Sequence, residues 1–195
     1  MATVGDQLTA PEPGWKRYED NVPQIQYIGS WSKNSSYDMI SSAAGSKAKF
    51  KFVGAKLRIL VYSHRNRSDM SISIDGGTPV TFKGNQGIDA RNTLAYEITG
   101  LALAEHTVEI TNLGTNEYAT IDAIDINDTG RLLHPDEVTD VADLDIGKRI
   151  RCHYTSSSNT VGVFSGLGEE TSDFIPAASS ATPNGDFYWI CVDRD

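Results

Sequence analysis

The sequence predicts an all-β chain in which a β-sandwich is followed by a small β-rich module. Three observations carry that reading. From Ser46 to Val61, Lys47, Lys49 and Lys51 alternate with Ala48, Phe50 and Phe52, and Lys56 and Arg58 then alternate with Leu57, Ile59 and Val61. A period of two belongs to strands with one apolar face and one polar face. Asp75-Gly76-Gly77-Thr78-Pro79 separates two further short apolar runs, as a hairpin turn does. Hydrophobic residues make up 39% of the 195 residues, beside 17 Gly and many Ser, Thr, Asn and Asp, a composition suited to short strands joined by turns.

Taken in order, residues 1–14 are polar, contain Pro11 and Pro13, and read as an extended lead-in. Trp15 to Asp20 and Ile25 to Trp31 read as the first strands, with Trp15 and Trp31 expected as lids on the core. Ser32 to Ser46, rich in Ser, Asn and Gly, reads as a loop crossing between sheets. The central stretch predicts two strands meeting at Gly54. Phe50, Phe52, Leu57 and Ile59 are expected to face inward, and Lys49, Lys51, Lys56 and Arg58 outward. Ser63 to Asp69 is a polar loop, Met70 to Ile74 and Val80 to Phe82 form the hairpin, and Lys83 to Asn92 is a second polar loop. Leu94 to Ile98 and His106 to Ile110 are strands separated by a turn at Gly100-Leu101, and Ile72, Ile74, Val108 and Ile110 are expected in the core.

The run Thr120 to Ile126 places Asp122 on the face of Ile124 and Ile126, and Asp125 on the face of Ile121 and Ala123. One carboxylate must therefore lie near a core face, where it needs hydrogen-bond donors, a route to solvent or a cation. The sandwich is expected over 15–130, a linker over 131–147, and a small β-module over 148–195. That module has strands at 148–154, 161–164 and 186–192. The chain stops just after its most apolar strand, which suggests truncation or an edge covered by another subunit.

The net charge of −9 argues against a general nucleic-acid binder. Positive charge is concentrated, however: between Met39 and Ser68 stand Lys47, Lys49, Lys51, Lys56, Arg58, Arg65 and Arg67 with no acid among them. These cations either pair across strands with acids such as Glu97 and Glu109 or form a patch for an anionic polymer. The opening residues show no signal-peptide pattern, and no stretch is apolar enough to insert into a membrane. Cys152 and Cys191 lie in strand-like contexts and read as core residues rather than a metal pair.

The order Ile25-x-Tyr27-x-Gly29-x-Trp31, Lys49-Phe-Lys-Phe-Val-Gly54, Ile72-Ser-Ile-Asp-Gly76, His106-Thr-Val-Glu-Ile110 and Ile121-Asp-Ala-Ile124 resembles the galactose-binding-like β-sandwich. Carbohydrate-binding modules appended to glycoside hydrolases and esterases share this jelly roll. The resemblance covers roughly 15–130 and implies a non-catalytic polysaccharide binder. It also implies a structural calcium at Asp122, with Glu19 and Asp20 as nearby candidates for a partner. Gly5 to Tyr18, together with Ser165-Gly-Leu-Gly and Ala181 to Phe187, is similar to tail proteins of phages and prophages of Gram-positive bacteria. That similarity implies a virion tail or extracellular cell surface, host recognition through a cell-wall glycan, and other tail-protein subunits as partners.

The residues themselves show no Gly-x-Ser-x-Gly elbow, phosphate loop or zinc helix, so no enzyme is expected. Sugar recognition needs an aromatic ring and planar hydrogen-bonding side chains. The polar loops and the residues before them offer Tyr37, His64, Arg65, Asn66, Asn85 and Arg91, of which Arg65 and Arg91 would favour acidic sugars. The alternative is a structural adaptor of a tail fibre that binds no sugar.

Overall fold

The computed structural model describes residues 1–34, 38–115, 117–138, 149–154 and 185–190. All regular structure among them is β, and the chain divides into two compact units, Met1–Pro135 and Asp136–Asp195.

The first unit contains strands β1 (Trp15–Glu19), β2 (Gln26–Ile28), β3 (Ser32–Asn34), β4 (Asp38–Ser41), β5 (Lys47–Ser63), β6 (Met70–Ile74), β7 (Val80–Phe82), β8 (Ala90–Asn112), β9 (Ala119–Ile121), β10 (Ala123–Asn127) and β11 (Arg131–Leu133). The large sheet runs β1-β10-β5-β8-β6-β7, with β2 and β11 also paired to β5, and a smaller sheet runs β3-β4-β9. Two expected strand pairs are thus two long strands. β5 is continuous over 17 residues and pairs antiparallel with β8, which runs over 23.

The alternation predicted a break at Gly54, and the structure has a register irregularity there instead, between Gly54 and Lys56. The glycine answers to close packing: a Cβ at Gly54 would lie 2.3 Å from Asn127 Oδ1 and 3.0 Å from the Phe52 ring. Across this point the inward parity changes from Phe50 and Phe52 to Leu57, Ile59 and Val61, all buried. The neighbours change too, since residues 47–53 of β5 meet β2 and β11, while 57–60 meet β10. One pair of long strands therefore serves both parts of the sandwich. Phe50, Phe52, Leu57, Ile59, Ile72, Val108 and Ile110 join one core cluster with Ile124 and Ile126, as their alternation predicts. Ile74, expected inside, is only half-buried at the end of β6.

Arg58 corrects the expected outward set. It points away from Leu57 and Ile59, yet its side chain is 0% exposed. The lead-in is responsible. Gly5 N donates to Leu94 O, Leu94 N to Asp6 O, and Leu8 N to Asn92 O, so residues 5–8 dock along β8. Leu8 packs with Leu60, Leu94 and Ala123 in a second buried cluster, and Glu12 reaches Arg58 at 2.8 Å. Residues 1–14 thus cover the outer face of the sheet rather than trailing from it. Nor does the first unit end at Gly130, because β11 adds Leu132 and Leu133 to the buried set.

The carboxylate dilemma is resolved by a break between β9 and β10 at Asp122. Asp122 N donates to Leu60 O at 2.9 Å, and its side chain leaves the ladder. Asp125 stays in β10 on the outer face, within a row that crosses four strands in register: Glu97, Arg58, Asp125 and Arg17. Charge alternates along that row, and opposite charges directly across a sheet stabilise it.

In the second unit, β12 (Glu137–Val138) pairs parallel with β13 (Arg149–Tyr154), which pairs antiparallel with β14 (Gly185–Ile190). The outer two expected strands of this module are present, and Val161 to Phe164 and Cys191 lie outside the described residues.

Candidate functional site

The end of β5 sets one wall of the site. Tyr62 sits on the outward parity of the strand, one residue before Ser63, and the polar loop 64–69 follows. This loop is pinned by backbone bonds, Ser68 N donating to Tyr118 O and Tyr118 N to Asn66 O, each at 3.1 Å. It is also tightly packed, because a Cβ at Gly114 would meet Ser68 Cβ at 2.3 Å. The second polar loop is held against β5 by Ser63 Oγ, which donates to Ile88 O and accepts from Gln86 N, both at 2.8 Å. The expected loops therefore meet at one end of the sandwich.

Between loop 64–69, β3 and Tyr118 lies a cleft of about 410 Å³, lined by Ser32, Lys33, Asn34, Ile40, Tyr62, His64, Asn66, Arg67 and Tyr118. Asn66 is its hub: its Oδ1 faces His64 Nδ1 at 2.5 Å and accepts from Arg67 Nη1 at 2.8 Å. Among the described residues the Asn66 side-chain NH2 has no acceptor, and the residue is exposed. Arg67 is nearly buried, donates to Tyr62 O at 3.2 Å, and stacks on the Tyr62 ring with its Cζ 4.6 Å from the centroid. Burial pulls its pKa below the ordinary arginine value. The Tyr62 hydroxyl donates to Asp89 at 2.8 Å, and that hydrogen bond raises its pKa.

Of the residues expected from sequence, His64 and Asn66 line this cleft. Arg91 stands beside it, with its Cζ 4.8 Å from the Tyr62 ring centroid and Nη1 3.2 Å from the buried carboxylate of Asp38. That ion pair offsets its charge and weakens the case for acidic sugars. Arg65 is exposed and does not line the cleft, and Asn85 accepts a hydrogen bond from Gly87 N within its own loop. Tyr37 lies outside the described residues. Sequence reasoning missed Tyr62, Arg67 and Tyr118. Arg67 and Arg91 both lie close against Tyr62, whereas Tyr118 meets only Arg67, at a longer 5.9 Å from its ring centroid, and is 39% exposed.

Asp122, which the resemblance implies as a calcium ligand, is engaged by the backbone of a neighbouring strand. Its carboxylate accepts from Asn92 N at 2.6 Å, and burial raises its pKa, with Asp38 and Asp20 adding to the rise. Among the described residues no three His, Cys, Asp or Glu side chains gather as metal ligands.

The family described as "Carbohydrate esterase 2 N-terminal" matches residues 27–135, more than half of the chain, and the chain belongs to that family. Its first unit is a carbohydrate-binding-module-like β-sandwich. Among solved structures it is similar to a family two carbohydrate esterase from Cellvibrio japonicus, with 19% identity and a TM-score of 0.50, covering 62% of this chain and 35% of that one. It is also similar to a family 35 carbohydrate-binding module from Clostridium thermocellum, with 19% identity and a TM-score of 0.44, covering 57% of this chain and 98% of that module. The chain thus spans about a third of the esterase's length. No curated protein matches it.

Proposed function

We propose that the first unit is a non-catalytic module that binds a cell-surface or cell-wall polysaccharide in the cleft between loop 64–69 and Tyr118. The observation that carries this reading is the convergence of Asn66, His64 and Arg67 beside an exposed tyrosine ring. Sugar hydroxyls both donate and accept, and planar amide, imidazole and guanidinium groups meet them in fixed directions. A pyranose also has an apolar face that an aromatic ring can cover. Membership in a family of esterase N-terminal regions supports a module that works beside an enzyme acting on polysaccharide. The resemblance of the opening and closing segments to tail proteins supports a setting on a virion tail at the host surface, with other tail subunits as partners. Both settings present the module to a glycan.

The cleft is open and polar, so affinity should be modest, with a dissociation constant on the order of micromolar to millimolar. A glycan and cell-wall array probed with the full chain tests the reading. Retention on at least one polysaccharide class, competed by its soluble oligosaccharide, is expected. Retention on none would overturn glycan binding in favour of a structural adaptor.

A further inference from the structure

A second cleft, of about 430 Å³, lies on the face of the sheet at the other end of β5. It is lined by Gln24, Gln26, Lys49, Lys51, Thr107 and Glu109, among others, over Phe50 and Val108. The register explains why polar groups meet there: Gln26 of β2 stands opposite Lys49 of β5, Lys49 opposite Glu109 of β8, and Glu109 opposite Ser73 of β6. Four neighbouring strands thus contribute one polar residue each to a single row. β5 carries the loop cleft at Tyr62 and this one at Lys49 to Lys51, up to roughly 40 Å apart along an extended strand.

The charges in this cleft are mutually offset. Glu109 accepts from Lys47 Nζ at 2.6 Å and Lys49 Nζ at 2.7 Å, and Lys51 Nζ lies 3.4 Å from Glu105. Lys47 and Lys49 hold the Glu109 carboxyl below the usual range. The uncommitted polar groups are the amides of Gln24 and Gln26, whose side chains have no hydrogen-bond partner among the described residues. Each amide offers a carbonyl and an NH2, matching hydroxyl groups that both donate and accept. The volume falls within the ordinary range for ligand clefts.

We infer that this sheet-face cleft is a second glycan-binding site that takes an uncharged hexosyl stretch of the same polysaccharide, held by the Gln24 and Gln26 amides beside the Lys49–Glu109 pair. The inference rests on the reading of the module as a glycan binder. Two weak sites on one polymer raise avidity without new contacts, because the second binds at the effective concentration set by the first.

Amide-resolved NMR titration of the full chain with cellohexaose, mannopentaose and the neutral oligosaccharides of any polysaccharide retained on the array tests it. A saturable set of shifts at Gln26, Lys49, Ser73, Thr107 and Glu109 is expected. Its isotherm should differ from that of His64, Asn66 and Tyr118. In the Gln24→Ala/Gln26→Ala double variant the sheet-face shifts should vanish, the loop-cleft isotherm should stay unchanged, and retention on the polysaccharide should fall several-fold. Shifts confined to the loop cleft, sheet-face shifts that survive the double variant, or no sheet-face shifts with any probe would overturn the second site. Loss of the loop-cleft set alone would instead count against the function proposed above and leave the sheet-face site standing.

Discussion

Arg17 donates two parallel hydrogen bonds to Asp125, Nε to Oδ1 at 2.7 Å and Nη2 to Oδ2 at 2.9 Å, on the outer face of the sheet beneath the lead-in. The Asp125 side chain is fully buried, and Arg17 also donates to Leu8 O at 2.8 Å, so one guanidinium ties β10, β1 and the lead-in together. Asp125→Ala would leave Arg17 charged, buried and half-satisfied. Breaking such a pair costs about 3–5 kcal/mol. Urea unfolding should show a loss of that size, whereas Lys16→Ala, on the same strand, should change stability little.

The packing around the loop site leads to a second expectation. Gly114→Ala sets a methyl 2.3 Å from Ser68 Cβ, and Ser68 is buried and donates to Asn112 Oδ1 at 2.7 Å. Relief requires loop 64–69 to shift, at a cost of about 1–3 kcal/mol. Thermal melting should fall and glycan affinity should fall with it. Gly54→Ala, crowded by Asn127, should lower the melting point by a comparable amount, yet leave affinity unchanged.

His106 supplies a pH dependence. Burial opposes its charging, but the Ala102 carbonyl at 2.9 Å and the Asp75 carboxylate at 2.7 Å outweigh it and hold its pKa above the ordinary histidine value. A folded pKa above the unfolded one stabilises fully below the unfolded value near 6.5, and that contribution is lost as pH rises through the folded pKa. Stability should therefore decline on the alkaline side of about pH 6.5, and His106→Gln should remove the decline. Asp75 adds an acid limb. Burial pushes its pKa up, but the bonds from His106 and Thr107 N bring it below 3.8, so its contribution is present above that value and lost as pH falls through the lower folded pKa. Chemical denaturation from about pH 3 to about pH 9 spans the reference values of both groups and checks both limbs.

A contrast among the arginines follows from their surroundings. Arg65 is exposed and outside the cleft, while Arg91 is paired with Asp38 and lies against Tyr62. Arg65→Ala should leave affinity for the glycan within experimental error. Arg91→Ala should weaken binding and also lower stability, because Asp38 is left buried without its cation. Titration calorimetry and melting curves on the two variants separate these outcomes.

Much of the core could be read from period-two alternation, because inward parity depends only on local register, and Phe50, Leu57 and Ile110 are buried as expected. Arg58 departs from the outward expectation because its burial depends on residues more than forty positions earlier in the chain, where Glu12 and Leu8 cross the outer face. His64 and Asn66 were legible as polar residues in a loop that follows a strand. Arg67 was hidden in a run of cations, and Tyr118 has no local signal, since it reaches the cleft through a bridge to Arg67. An outward-parity aromatic at a strand end, as at Tyr62, is the one sequence signal that could have pointed to this wall.

As proposed above, the glycan is held in the cleft between Asn66 and Tyr118. Isothermal titration of the best array oligosaccharide against the parent chain and the Asn66→Ala/Tyr118→Ala double variant tests it most directly, with melting curves to confirm that the variant is folded. A loss of about tenfold or more, equivalent to about 1.4 kcal/mol, is expected. An unchanged dissociation constant in a folded double variant would contradict it.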